Sequence, residues 1–139
     1  MTHTRQKLGA SGEEAAVRYL LENGYSIIDR NFRTRLGEID IVAETRTKRG
    51  FPGGAAPSSE IVFIEVKTRT PSGMSLSFGP PQLAVNSRKR NKLIKVALQY
   101  MKIRDIRDRD IRFDVLAITG GRIEHIENAF NADSCKYRF

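Results

Sequence analysis

Two short apolar runs carry carboxylates where a strand interior ordinarily has none. Glu38 to Val42 reads Glu-Ile-Asp-Ile-Val, and Ile61 to Lys67 reads Ile-Val-Phe-Ile-Glu-Val-Lys. β-Branched and aromatic residues at this density predict buried or half-buried strands. An unpartnered charge inside such a strand is costly. Residues two apart on a strand share a face, so Glu65 and Lys67 are expected to point one way, and Glu38 and Asp40 likewise. Gly50-Phe51-Pro52-Gly53-Gly54 lies between the runs and supplies turn chemistry. A hairpin centred there sets Asp40 roughly opposite Glu65 and brings two acids and a lysine onto one patch of one sheet.

The rest of the chain gives that hairpin its neighbours. Ser11 or Gly12 is expected to cap a helix with Glu13 and Glu14 in its first turn, the end that favours acids. Ala16, Val17, Tyr19, Leu20 and Leu21 form its apolar stripe, and Asn23-Gly24 closes it. Residues 25–33 read as a first strand around Ile27 and Ile28, 36–44 as a second and 60–68 as a third. A second helix is predicted over 83–102, with Val85, Leu93, Val96, Ala97, Tyr100 and Met101 as its apolar side. Strands over 112–119 and 122–128 follow, joined by Gly120-Gly121, and Arg104 to Arg109 reads as a solvated connector. Helix, three strands, helix, two strands is an α/β order: a mixed central sheet of about five strands flanked by helices. One domain over 1–139 is expected, with 1–9 and 131–139 as flexible tails and 45–59 as a flexible hairpin loop.

Composition narrows the partner. With 24 Lys and Arg against 16 Asp and Glu, the net charge is +8, and the pI is about 10.0. Such a balance points to a polyanion, usually nucleic acid, although a merely basic surface has the same composition. A single cysteine, Cys135, excludes an internal disulfide and a cysteine-rich zinc site. The polar start and the lack of a long apolar segment give no sign of a signal peptide or membrane span. A cytoplasmic protein without membrane partners is expected.

Two carboxylates sharing a site repel each other unless a cation joins them. Oxygen ligands select magnesium or manganese over zinc. Such a cation can activate water and stabilise charge on a phosphate, with the Val66 carbonyl also able to face it. A lysine alongside can orient or deprotonate the water, or neutralise the phosphate. The plainer alternative is an Asp40–Lys67 cross-strand ion pair on a half-exposed sheet, and the short Glu-x-Lys motif alone does not exclude it.

The ordered set of motifs is more specific than any one of them. Gly12-Glu13, Ala16, Tyr19-Leu20, Gly24-Tyr25, Ile27-Ile28, Arg30-Asn31 and Gly37-Glu38-Ile39-Asp40 come first. Val62 to Arg69, Lys89, Leu93, Arg112-Phe113-Asp114-Val115 and Asn128-Ala129-Phe130 follow. In this set the chain resembles the YraN-like family of small bacterial proteins, within the PD-(D/E)xK restriction-endonuclease-like superfamily. The resemblance implies a restriction-endonuclease-like α/β fold with its site at the hairpin. It implies Asp40 and Glu65 as ligands of Mg2+ or Mn2+ and Lys67 as the catalytic lysine. Glu13 matches an acid that archaeal Holliday-junction resolvases place at the site, and so becomes a further catalytic and metal-binding candidate. Ile39 stands where the superfamily name has proline.

Other candidates carry two readings each. Glu38 either supports a metal ligand or pairs with an arginine. Thr68 and Arg69 can touch phosphate or stand at a sheet end. Arg88, Lys92 and Lys95 fall on one side of the second helix, with Lys89 around from them, either as a phosphate-tracking surface or as a solvated face. Lys89 alone among these matches the family pattern, which can also bring it near the site. Asp114 and His125 read as structural. The expected activity is metal-dependent endonucleolytic hydrolysis of DNA, with branched or junction DNA as the analogy-based substrate. A non-catalytic nucleic-acid-binding module of the same fold is the alternative. Cutting two strands would call for a homodimer or a partner.

Overall fold

The computed structural model describes residues 2–46, 59–69 and 87–130, with side chains from Gly12 to Thr45 in the first segment. The elements are α1 (Thr2–Glu22), β1 (Tyr25–Thr34), β2 (Gly37–Arg46), β3 (Ser59–Arg69), α2 (Ser87–Ile103), β4 (Ile111–Thr119) and β5 (Arg122–Phe130). The five strands form one sheet in chain order. Adjacent pairs are antiparallel except β3–β4, which is parallel and is bridged by α2. This is the mixed, helix-flanked α/β sheet expected.

Alternation along the strands divides the core into two layers. Ile61 and Phe63 face α2, packing with Ile94, Val96, Ala97 and Tyr100. Val62 and Ile64 face α1, packing with Ala16 and Leu20. Each fully buried side chain of this kind contributes about 1.5–3 kcal/mol. On the α2 side aromatic rings run across the sheet. Phe32 and Phe63 meet Tyr100 edge-on at 4.9 and 5.8 Å. Phe63, Phe113 and Phe130 stack in succession at 5.5 and 4.9 Å.

Several details differ from expectation. Helix α1 begins at Thr2, ahead of the cap expected at Ser11 or Gly12. Arg5, Gln6, Lys7 and Leu8 are good helix formers, but no apolar stripe marks them, so periodicity does not register that turn. Leu21 is 56% exposed and lies outside the α1 stripe. Ile28 is 41% exposed, at the register shift between Ile27 and Asp29. Ile94, which was not assigned to the α2 stripe, is buried, whereas Leu93 is only partly so. The connector after α2 is tied down rather than merely solvated. Arg104 pairs with Asp29 at 2.7 Å, and Arg109 bonds to Glu44 and Ser59. Of the expected loop over 45–59, Thr45 and Arg46 belong to β2 and Ser59 to β3; residues 47–58, the helix start over 83–86 and the tail at 131–139 lie outside the described residues.

The turn at Gly120-Gly121 takes φ of 53° and 83°, the left-handed pair that a tight hairpin with matching twist requires. At the other end of this hairpin β5 bulges opposite Asp114. Asn128, at φ 52°, donates its backbone N–H to Asp114 Oδ1 at 2.9 Å. Arg112 closes on the same carboxylate with two bonds of 2.9 and 2.8 Å, and His125 Nε2 donates to it at 2.7 Å. Tyr19 of α1 meets His125 Nδ1 at 3.2 Å, while Arg112 also reaches Tyr25 and Glu60. This cluster fastens α1 to the β4–β5 end of the sheet. Asp114 and His125 thus sit in one hydrogen-bonded cluster. Burial opposes the Asp114 charge, but the His125, Arg112 and Asn128 hydrogen bonds outweigh it and hold its pKa below 3.8.

The stabilisation from Asp114 is therefore present above the ordinary carboxylate pKa and is lost as pH falls through the lowered value. Asp114→Ala leaves the Asn128 N–H and His125 without their acceptor and Arg112 with only Glu60 and Tyr25, and urea unfolding at pH 7 should show a loss of about 2–4 kcal/mol. A loss under about 1 kcal/mol would mean that the cluster does not hold this end of the sheet.

Candidate functional site

The β2–β3 ladder runs from Arg46↔Ser59 to Ile41↔Ile64 and then stops. Beyond that point β2 stays with β1 as far as Gly37, and β3 stays with β4 as far as Arg69. The sheet forks, and the next residues along the two arms are Asp40 and Glu65, the pair that hairpin geometry set opposite each other.

Asp40 occupies the crotch of the fork. Its Oδ2 accepts the Val66 backbone N–H at 2.8 Å, so a side chain stands in for the strand carbonyl that the open ladder no longer supplies. Ile39 packs on the α2 side, whereas Ile41 and Ala43 pack on the α1 side. Alternation thus breaks at Asp40, and its carboxylate turns toward β3. The backbone N–H and C=O of one strand residue point the same way, so the Val66 carbonyl also faces the fork.

Burial raises the Asp40 pKa from 3.8 to about 6. The Val66 N–H opposes this rise, and the charges of Glu65, Glu38 and Glu13 reinforce it. Four carboxylates therefore share one electrostatic neighbourhood. Glu65 and Lys67 lie on the same strand face and pair at 2.9 Å. The cross-strand Asp40–Lys67 pair considered from sequence does not form in this way; Lys67 takes Glu65 instead.

Both helices reach the fork. Gly12 of α1 lies against Thr68, where an added Cβ would run into the threonine hydroxyl and stand 3.4 Å from its Cβ and Cγ2. This close approach places Glu13 beside the centre. Glu13 Oε1 is buried without a hydrogen-bond partner, and its nearest cation is Arg30 Nε at 3.6 Å. Arg30, which sequence reading missed as a partner, also binds Glu14 at 2.8 Å. No local spacing connects these residues; the packing of α1 on β1 does. From α2, Lys89 comes close enough to Lys67 for the two amines to shift each other's protonation. Burial works against the Lys67 charge, but the Lys89 contact, the Glu65 pair and the Asp40 charge keep its pKa above 10.5. The neighbouring Lys67 and burial move Lys89 below 10.5.

The remaining candidates lie further out. Glu38 pairs with Arg33 directly across β1 at 2.8 Å, while its charge still reaches Asp40. Arg69 ends β3 beside Thr119. Arg88 and Lys92, with Asn91 and Lys95, line an open cleft on α2.

For a divalent cation the donor chemistry fits. The oxygens are hard, Glu13 Oε1 is buried with no hydrogen bond and only Arg30 at 3.6 Å, and burial, reinforced by the neighbouring acids, raises Asp40. Among the described residues, however, no three acidic, histidine or cysteine side chains converge as a ready-made cage. The fitting donors are Asp40 and Glu65 with the Val66 carbonyl, and Glu13 within electrostatic reach.

These features define a small α/β protein whose sheet forks around two acids and a lysine. The chain belongs to UPF0102, an uncharacterised protein family, which matches residues 12–118 and thus spans Glu13, Asp40, Glu65, Lys67 and Lys89; it is the YraN-like family that the motifs indicated. A UPF0102 protein of Thermodesulfovibrio yellowstonii is 45% identical over 91% of this chain and 97% of its own. One from Geobacter metallireducens is 44% identical over 94% and 97%, and one from Persephonella marina 39% identical over 90% and 94%. No helix among the described residues is long and apolar enough to cross a membrane.

Two outcomes follow from this geometry. Between pH 3.8 and about 6 the unfolded chain has released the Asp40 proton while the folded chain retains it. Stability contributed by this group therefore falls as pH rises through that window, by at most about 3 kcal/mol. Asp40→Asn keeps an acceptor for the Val66 N–H and removes the charge. It should be about 1–3 kcal/mol more stable than wild type at pH 7.5, with the advantage shrinking toward pH 4; an equal advantage at both pH values would refute the account. Gly12→Ala should bring no gain in chemical denaturation despite the better helix former. In a Thr68→Ala background the same change should stabilise by up to about 1 kcal/mol. Identical effects in both backgrounds would show that Gly12 and Thr68 are not coupled.

Proposed function

We propose that this chain is a metal-dependent nuclease that hydrolyses phosphodiester bonds in DNA. The observation that carries this reading is the fork itself: Asp40, Glu65 and Lys67 meet where two strands part, with Glu13, paired with Arg30, within electrostatic reach. Asp40, Glu65, the Val66 carbonyl and Glu13 would hold Mg2+ or Mn2+, which when bound supplies Lewis-acid stabilisation of developing phosphate charge and a more acidic water.

The chain's own groups account for the rest. Glu65 holds the Lys67 ammonium at 2.9 Å, a fixed cation that orients the attacking water and offsets charge on the pentacovalent phosphate. The water oxygen bonds to phosphorus, its proton passes to solvent or a basic group at the centre, and the P–O bond to the leaving sugar breaks. The leaving oxygen then takes a proton from solvent. Lys89, in contact with Lys67, adds a second nitrogen for a phosphate oxygen. Branched or junction DNA is the substrate suggested by the resolvase resemblance and rests on fold analogy.

The rival is a non-catalytic nucleic-acid-binding module. Its support is that Glu65 is already paired with Lys67 and that no three-residue cage exists among the described residues. One experiment separates the two. Single-stranded, duplex, flap and four-way-junction DNA, with matching RNA, are incubated with wild type, Asp40→Asn, Glu65→Gln and Lys67→Met in magnesium, manganese and chelator. Expected is metal-dependent cleavage that each variant lowers by at least about 100-fold. Magnesium or manganese should also raise the melting temperature of wild type but not of Asp40→Asn. Salt-sensitive binding in chelator, with no cleavage and no metal-induced stabilisation, would establish the binding module instead.

A further inference from the structure

From Ser87 to Lys95 helix α2 holds five basic residues and no acid, and the fold assigns them different tasks. Arg90 turns toward the core, its guanidinium 5.8 Å from the centre of the Phe130 ring. Lys89 turns to Lys67 in the fork. Arg88, Lys92 and Lys95 line one open cleft with Asn91. At 100° per residue these four fall within an arc of about 100°, and Lys89 flanks that arc on the side leading to the fork.

We infer that this α2 cleft binds the phosphate backbone of the strand entering the fork and hands successive phosphates to Lys89 and Lys67. The nucleic-acid identity of the occupant rests on the nuclease reading; the cationic track rests on the α2 geometry. Three cations spaced over seven residues extend about 10 Å along the helix, which matches about three phosphates of one duplex strand along its axis. The lining consists of guanidinium, amines and an amide, with no aromatic ring among them. Its grip is therefore chiefly electrostatic, because three of the four lining side chains are cations suited to phosphate and no stacking platform lies among them. The adjoining fork supplies an excess of carboxylates, so a backbone is drawn to the α2 cations first and reaches the acids only where a cation neutralises them.

The test is binding in chelator, which needs no cleavage. Fluorescence anisotropy with labelled duplex and junction DNA of two unrelated sequences, and with matching RNA, is measured from 50 to 300 mM salt. The proteins are wild type, Asp40→Asn, the triple variant Arg88→Glu/Lys92→Glu/Lys95→Glu, and its glutamine counterpart. Circular dichroism melts check folding, and the glutamine variant serves if charge reversal unfolds the helix. Expected is wild-type binding alike for both sequences, kept or improved by Asp40→Asn. The triple variants should lose about 10- to 100-fold near 0.1 M salt, with the slope of log affinity against log salt shallower by about 2–3. Unchanged affinity and slope in folded triple variants, or no nucleic-acid binding by wild type, would overturn the inference. Loss of binding in the triple variants from a protein that never cleaves would refute the nuclease and leave the phosphate track standing.

Discussion

Asp40 and Asp114 perform the same service at two places where the sheet's ladder is interrupted. Each carboxylate accepts a backbone N–H from the next strand, Val66 in one case and Asn128 in the other. A buried N–H without an acceptor is costly, so a strand can leave its neighbour only where something replaces the lost carbonyl. At Asp114 the replacement is surrounded by Arg112 and His125, which makes it a fastening. At Asp40 it is surrounded by other acids, and the cation within reach, Lys67, is paired with Glu65 instead. The remainder of the candidate site depends on that second replacement, because it opens the fork.

The two ends of the sheet thus divide structural and chemical work. The Asp114 cluster reaches Tyr19 and so fixes α1. Further toward the N-terminus of that helix, Gly12 lies against Thr68 and sets Glu13 beside the fork. On the opposite face the aromatic run under α2 seats that helix with Lys89 at the fork. Strain or charge tolerated at a functional centre must be balanced by stable packing elsewhere, and here the two core layers supply it.

Much of this was legible in the residues. The strand runs Glu38–Val42 and Ile61–Lys67 announced themselves by β-branched density, and the glycines between them centred the hairpin well enough to oppose Asp40 and Glu65. Gly120-Gly121 marked its own turn, and the shared face of Glu65 and Lys67 followed from strand period alone. Less legible were features made by distant segments. Arg30 beside Glu13, Arg109 on Glu44, and the sorting of Arg90 inward but Arg88 outward have no signature in local spacing. Periodicity likewise placed Leu21 in a stripe that the sheet does not cover and overlooked the helical turns ahead of Ser11.

The sequence by itself determined the α/β order, the hairpin and the acid–acid–lysine set, because these depend on propensities and periods acting over a few residues. Only the tertiary structure decided that β2 and β3 part at Asp40, that Lys67 pairs with Glu65 rather than Asp40, and that Glu13 and Lys89 arrive from opposite faces of one sheet. Those outcomes depend on how two helices pack across strands that are far apart in the chain. Burial and charge there are set by neighbours that no local pattern encodes.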